Sequence, residues 1–322
     1  MPEPISAQDI VRAVERHVDL GAGRPEVVSA STGRFNTTRV VCGSSVEVVI
    51  RIAPPDDAGF LFYERNMMAQ EPPLHKLVRE RTDIPVPAVL GYDTAREILP
   101  RDYIVMERLP GEPLSHAVGV DIDSVWERVG RFLSHAHAIH GERYGYDGPH
   151  HVMPPQASWA DAFRIMWNRL IDDIVGCGGY SAAEGEEMRC LLDRCISVVD
   201  RDVPASLLHM DVWHENVLVD DGQVTGLIDW DRALWGDPEI EFAVLDYCGV
   251  SVPAFWRGYG RERDTSPEAR LRNALYLLYE VQKYIVINRA RRRNPARADG
   301  YRRQSLQLAR SLFSWPLPAT GG

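Results

Sequence analysis

Lysine is almost missing from this sequence. Lys76 and Lys283 are the only two among 36 basic residues, a bias that points to a GC-rich genome. Long apolar runs are missing too, and none approaches the ~18 residues that cross a bilayer, which excludes a helical membrane span. The start, Met1-Pro2-Glu3-Pro4, has neither the basic nor the apolar segment of a secretory signal, so a cytoplasmic protein is expected. Cysteines are few and odd in number. Cys42, Cys177, Cys190, Cys195 and Cys248 show no C-x-x-C spacing and read as reduced thiols. An excess of positive charge is also lacking: the net charge of −10 opposes phosphate-backbone binding and suits a cationic or neutral small substrate. The local exception, Arg289, Arg291, Arg292, Arg293 and Arg297, reads as a solvated helix end that suits the helix dipole. No internal repeat is visible.

What is present is ordinary globular material: 322 residues, 45% hydrophobic and 25% charged, enough for two domains and a large core. Ile10, Val11, Val14 and Val18 predict a helix over 9–20. The period then switches. β-rich runs at 26–30, 37–42 and 46–52, joined by Ser31–Asn36 and Gly43-Ser44-Ser45, predict an antiparallel meander. A helical stretch is expected from Phe60 to Glu80, interrupted by Pro72-Pro73, which fit only the first turn of a new helix. Strands follow at 88–92 and 103–107. After Leu109-Pro110-Gly111-Glu112-Pro113 the pattern turns helical, at 125–140, 160–175 and 184–199, with short strands between Leu207 and Ile228 and helices from Glu239 onward. The chain divides into a β-rich part, 1–108, and a larger helical part, 109–322.

The chemistry concentrates in one segment. Val217-Leu218-Val219 and Val224-Thr225-Gly226-Leu227-Ile228 flank Asp221-Gly222, a strong hairpin signal. A hairpin returns the chain to where it began, so Asn216 and Asp229 are expected side by side at its open end, with Asp211 on the loop feeding in. Two carboxylates and an amide oxygen there suit Mg²⁺, a hard cation that keeps sites for phosphate oxygens and water.

His209-x-Asp211-x4-Asn216, followed by Ile228-Asp229-Trp230, resembles the catalytic loop and metal-binding aspartate of the aminoglycoside phosphotransferase family, relatives of the eukaryotic protein kinases. Gly236-Asp237-Pro238-x-x-Glu241 resembles the family's downstream sequence. The resemblance covers about residues 25–290. It implies an α+β, bilobal protein-kinase-like fold with a small β-rich N-terminal lobe and a larger, mostly helical C-terminal lobe. It further implies that Asp211 is the catalytic base, that His209 braces the loop, and that Asn216 and Asp229 hold magnesium.

The same resemblance reads the β-rich part. The loop Ser31–Asn36 stands where a glycine-rich phosphate loop would, with Gly33 its only glycine and with Phe35 and Asn36 completing the nucleotide contact. Arg51 stands where the wider kinase pattern has a lysine; a fork of donors can serve phosphate, and the alternative is an exposed strand-edge arginine. Glu71 is the expected acidic partner from the following helix, Glu64 the second choice, and a solvated helix acid the alternative. Met106, the Glu107 carbonyl and the Leu109 N–H are implied to meet adenine, the alternative being a plain linker.

Bland roles are expected elsewhere. His135, His137 and His140 are spaced at i, i+2 and i+5, which does not gather three imidazoles for zinc. Trp159, Trp167 and Trp256 read as core, and Met67-Met68 as packing. The function implied is transfer of the γ-phosphoryl of ATP or GTP to a hydroxyl of an aminoglycoside-like or other antibiotic, a resistance or biosynthetic role. The alternatives are a metabolic kinase for an amino alcohol, sugar or nucleoside, and a non-catalytic pseudokinase. The partners implied are a small hydroxyl acceptor and a nucleoside triphosphate, with neither nucleic acid nor membrane, on a monomer or homodimer. Asp161, Asp172, Asp173 and Asp246 are candidates to receive a cationic acceptor, with solvated surface the equal alternative.

Overall fold

A computed structural model describes residues 5–29, 35–55 and 59–315. Helix α1 (Ala7–Glu15) opens on Ser6, whose hydroxyl accepts from Asp9 N–H; it ends earlier than the apolar spacing suggests, with the backbone turning after Val14. Strands β1 (Glu26–Ser29), β2 (Thr37–Cys42) and β3 (Glu47–Ile52) form the expected meander. The helix expected from Phe60 up to the proline pair does not form. Residues 62–64 and 67–70 make 3-10 turns, with Arg65 extended and Asn66 left-handed between them, and α2 (Glu71–Arg81) starts at the proline pair. The prolines lack N–H groups and so suit a first turn but not a helix interior. Next come β4 (Val89–Asp93), β5 (Tyr103–Glu107) and the short β6 (Glu112–Pro113).

The helical region begins with α3 (Ile122–His137), capped by Asp121, then the short β7 (His140–Gly141), α4 (Trp159–Gly176) and α5 (Ala182–Val199). Strand β8 (Ala205–Leu208) leads to the hairpin β9 (Val217–Asp220) and β10 (Gln223–Leu227), and then to β11 (Leu234–Gly236). Helices α6 (Pro238–Cys248), α7 (Pro253–Tyr259) and α8 (Pro267–Val286) each begin on a proline; a π-helical turn over 287–291 joins α8 to α9 (Pro295–Phe313). No described helix is long and apolar enough to cross a membrane.

Two compact units result, each assembled from separated segments. The first comprises residues 1–58, 68–118 and 215–231. Its five-stranded antiparallel sheet has the order β1-β2-β3-β5-β4, so β3 is an interior strand. Alternation on β3 sends Val48, Ile50 and Ile52 into a core with Ile10, Ala13 and Val14 of α1, while Val49 packs with Met68, Ile104 and Met106. A second small sheet joins β10, β9 and β6. Gly111 fits here because its backbone is left-handed and a Cβ would lie 2.4 Å from the Val219 carbonyl oxygen.

The second unit comprises residues 59–67, 119–214 and 232–322. It surrounds the sheet β11-β8-β7 with helices. Its core is aromatic: Trp126, Trp159, Trp167, Phe163, Tyr276 and Tyr279 are almost wholly buried, with Trp159 Nε1 donating to Tyr276 Oη at 2.7 Å.

Candidate active site

In the first unit the hairpin positions two of the expected residues. Asp221 and Gly222 both have positive φ, as a type I′ turn requires, and pair Gln223 with Asp220 and Leu227 with Val217. Ile228 N–H donates to the Asn216 carbonyl at 3.0 Å, extending the ladder by one bond, so Asn216 and Asp229 flank the open end together. Asp229 is left-handed, φ 71°, a conformation that costs about 1–3 kcal/mol and persists only when its surroundings impose it. The next residue, Trp230, imposes it: the ring is fully buried and donates to the Leu227 carbonyl at 2.9 Å.

Around this end a single guanidinium meets three carboxylates. Arg51 Nη1 donates to Glu71 Oε2 at 2.7 Å, and Nη2 donates to Asp229 Oδ1 at 2.7 Å and to Asp231 Oδ2 at 3.0 Å. Arg51 lies on the interior strand β3 and is 7% exposed, which disposes of the strand-edge alternative. Burial works against its charge, but Asp229, Glu71 and Asp231 together outweigh it and hold the guanidinium pKa above its ordinary value. Burial pushes the Glu71 carboxyl up, to about 7, against the pull of Arg51 and with added repulsion from Asp229. Its Oε1 has no hydrogen-bond partner among the described residues. Glu64 lies elsewhere, in the second unit, paired with Arg291 and accepting from Leu61 N–H.

Three acids against one base leave surplus negative charge, and Asp229, 34% exposed at its side chain, is the most accessible of them. With the amide of Asn216 it offers hard oxygen donors. Among the described residues no group of three His, Cys, Asp or Glu side chains is arranged to hold a metal by itself.

The remaining expected nucleotide residues have these places. Gly33 lies outside the described residues. Phe35 is half-buried, and Asn36 is buried with Nδ2 donating to Asp231 Oδ2 at 3.2 Å. Met106 is buried beside Met68 and Ile104. Glu107 is exposed, its carboxylate accepting from Ala88 N–H and from Arg79; Leu109 is half-buried against the hairpin at Gly226. Thr225 Oγ1 ties the segment after β5 by donating to the Pro110 carbonyl at 2.7 Å.

The second unit carries His209 and Asp211 on the loop leaving β8. Glu241, wholly buried, accepts from His209 N–H at 3.1 Å, from Met210 N–H at 2.6 Å and from His137 Nε2 at 2.7 Å. These bonds hold Met210 in a left-handed conformation, φ 66°. Burial alone would raise the Glu241 pKa, but the bond and charge of His137, the charge of His209 and the Met210 N–H reverse it, so the carboxyl is held below its ordinary value. His209 Nδ1 accepts from Asp211 N–H at 3.2 Å, making it an internal brace of the loop. Asp211 is 29% exposed at its side chain; Arg232 Nη1 donates to it at 3.4 Å and Nη2 to Glu280 at 3.1 Å, with Lys283 on the same glutamate.

Sequence reasoning missed Asp231, Arg232 and the His137–Glu241 bond. The alternation of charge in Asp229-Trp230-Asp231-Arg232 was the available signal. All four acids expected to receive an acceptor are engaged within the fold: Asp161 with Ser158 Oγ at 2.7 Å, Asp172 with Arg189, Asp246 with Arg263, and Asp173 with Phe62 N–H at 2.6 Å. Burial pushes the Asp173 carboxyl up, to about 6.

Comparison with known proteins adds the following. The sequence profile of a phosphotransferase enzyme family, APH, matches residues 31–275. Hygromycin-B 4-O-kinase of Escherichia coli is 26% identical over 184 residues, 54% of this chain and 48% of that protein, so the chain spans about half the length of that relative. A probable ketoamine kinase of Vibrio vulnificus is 26% identical over 227 residues, 64% of this chain and 69% of the relative. The crystal structure of aminoglycoside phosphotransferase APH(4)-Ia superimposes with a TM-score of 0.64 at 18% identity, covering 94% of this chain and 99% of that one. A thermostable mutant of that protein has been solved in ternary complex with AMP-PNP and hygromycin B. At this identity the likeness establishes the protein-kinase-like fold.

Proposed function

The chain belongs to the phosphotransferase enzyme family, and on that premise we propose that it is a small-molecule kinase moving the terminal phosphoryl group of ATP to a hydroxyl of an amine-bearing acceptor. The observation that carries this reading is the convergence of Arg51, Glu71 and Asp229 from three separate segments of the first unit. Arg51 offers positive charge to phosphate oxygens while the carboxylates anchor it and leave oxygen donors for a divalent cation, and phosphoryl transfer needs such positioning and electrostatics more than covalent help.

In this mechanism Asp211 orients the acceptor hydroxyl and takes its proton as the bond to phosphorus forms. His209 and Glu241 fix the backbone that carries Asp211. Arg51 contacts the nucleotide phosphates, kept in place by Glu71. Asn216 and Asp229 hold magnesium, which when bound supplies Lewis-acid neutralisation of the phosphate oxygens. Met106 and the hinge from Glu107 to Leu109 receive the base.

The relatives support this acceptor class. Hygromycin B and ketoamines both carry hydroxyls near an amine, and the acidic balance of this chain, −10, favours such cationic partners over polyanions. One relative is named for hygromycin B and another for ketoamines. An assay of nucleoside diphosphate release, ADP from ATP and GDP from GTP, decides, run across hygromycin B, other aminoglycosides, fructosyl-amines and small amino alcohols and sugars. Turnover on one of these, lost in Asp211→Asn, is the expected result. Nucleotide binding with no acceptor phosphorylated would replace this reading with a non-catalytic nucleotide-binding module.

A further inference from the structure

Arg51 is divided unequally among its three acids. Nη1 serves Glu71 alone, whereas the two protons of Nη2 are split between Asp229 Oδ1 at 2.7 Å and Asp231 Oδ2 at 3.0 Å. The two aspartates stand in different surroundings. Asp231 is buried and fixed from several sides: its Oδ2 also accepts from Asn36 Nδ2, and its backbone carbonyl accepts from the Gln70 side chain. Asp229 is one-third exposed at the mouth of the hairpin.

Arg51 occupies Oδ1 of Asp229, so a divalent cation drawn to that carboxylate meets the guanidinium charge and competes with it. Releasing that oxygen would ordinarily leave a buried guanidinium short of a partner, which is costly. Here the second proton of Nη2 stays on Asp231, so Arg51 gives up one bond and keeps a compensating charge. Resting on the reading of Asp229 as a metal ligand, we propose that Asp231 is a positioning residue that retains Arg51 when Asp229 turns to a divalent cation, and thereby sets the cation affinity of the nucleotide site. Without the Asp231 charge, Arg51 must lean on Asp229 and compete harder with the cation. Losing one charged hydrogen bond at Arg51 should shift cation affinity by about tenfold, which is about 1.4 kcal/mol.

Mn²⁺ titration followed by electron paramagnetic resonance, on the full chain with saturating AMP-PNP, tests this without turnover. In Asp231→Asn, Mn²⁺ affinity should fall about tenfold, and Asp231→Glu, which keeps the charge, should bind more tightly than Asp231→Asn. Arg51→Met removes the competitor and should tighten Mn²⁺; in that background Asp231→Asn should change affinity by less than about twofold. Unchanged affinity in Asp231→Asn overturns the proposal. So does an equal loss in the Arg51→Met background, since Asp231 would then act on the cation directly through its charge. Should Asp231→Asn fail to fold by circular dichroism, Arg51→Met alone decides, and unchanged or weaker Mn²⁺ binding there refutes the competition. If the wild-type chain binds no Mn²⁺ with nucleotide, the metal-ligand reading itself fails, an outcome distinct from all of these.

Discussion

Replacing Glu241 by Gln should strip the catalytic loop of its support. The carboxylate is wholly buried and accepts three N–H groups, from His209, Met210 and His137, at 3.1, 2.6 and 2.7 Å. Glutamine has the same shape but one acceptor oxygen. If that oxygen serves His209 and His137, the amide nitrogen points its own hydrogens at Met210 N–H, leaving a buried donor unsatisfied. A lost charge-assisted bond and one orphaned donor together amount to about 2–4 kcal/mol. For a unit of this size, about 2–4 °C accompany each kcal/mol, so the melting temperature should drop by about 5–15 °C. The deficit should depend on pH. Because the folded pKa of Glu241 is depressed, its stabilisation is fully present above the ordinary value of 4.5 and is lost as pH falls through the lower folded value. Thermal melts of wild type and Glu241→Gln at pH 7 and in a series below pH 4.5 measure this, the gap narrowing with acid. A melting temperature unchanged at pH 7, or a gap that widens in acid, would refute the reasoning.

Other substitutions separate the roles. Asp211→Asn removes the proton acceptor while preserving shape, and should cut turnover by about 10²–10⁴-fold with nucleotide affinity kept, as single-turnover kinetics and calorimetry would show. Asp229→Asn tolerates the left-handed backbone better than alanine would, and should weaken Mg-nucleotide binding by about tenfold or more while circular dichroism stays native. Gly111→Ala puts a Cβ 2.4 Å from the Val219 carbonyl at φ 94°, and should destabilise by about 1–3 kcal/mol in urea titration.

Local rules carried far in this sequence. β-rich runs located β2 and β3, period-two alternation divided the faces of β3, and Asp221-Gly222 located the hairpin that brings Asn216 and Asp229 to one end, because each step depends on residues a few positions apart; the register shift between Val224 and Gly226 was not legible. The same alternation put Arg51 on the opposite face of β3 from Val48, Ile50 and Ile52. Where local preference was weak it misled: the stretch from Phe60 became two 3-10 turns, whereas the helix start at Pro72-Pro73, residues that cannot lie inside a helix, was legible.

Tertiary structure decided the rest. Whether Arg51 was an exposed edge residue or a buried fork depended on β5 pairing with β3 on the side away from β2, a non-local choice. That Glu71 and not Glu64 meets it depended on which unit each segment joins. The His137–Glu241 bond spans 104 residues and the Arg51–Asp231 pair 180, and no pattern of spacing encodes such partners. Ion pairs of this kind are fixed by burial. Once packing removes water from a charge, the only low-energy arrangement is the one that brings an opposite charge or a donor to it, wherever in the chain that group lies.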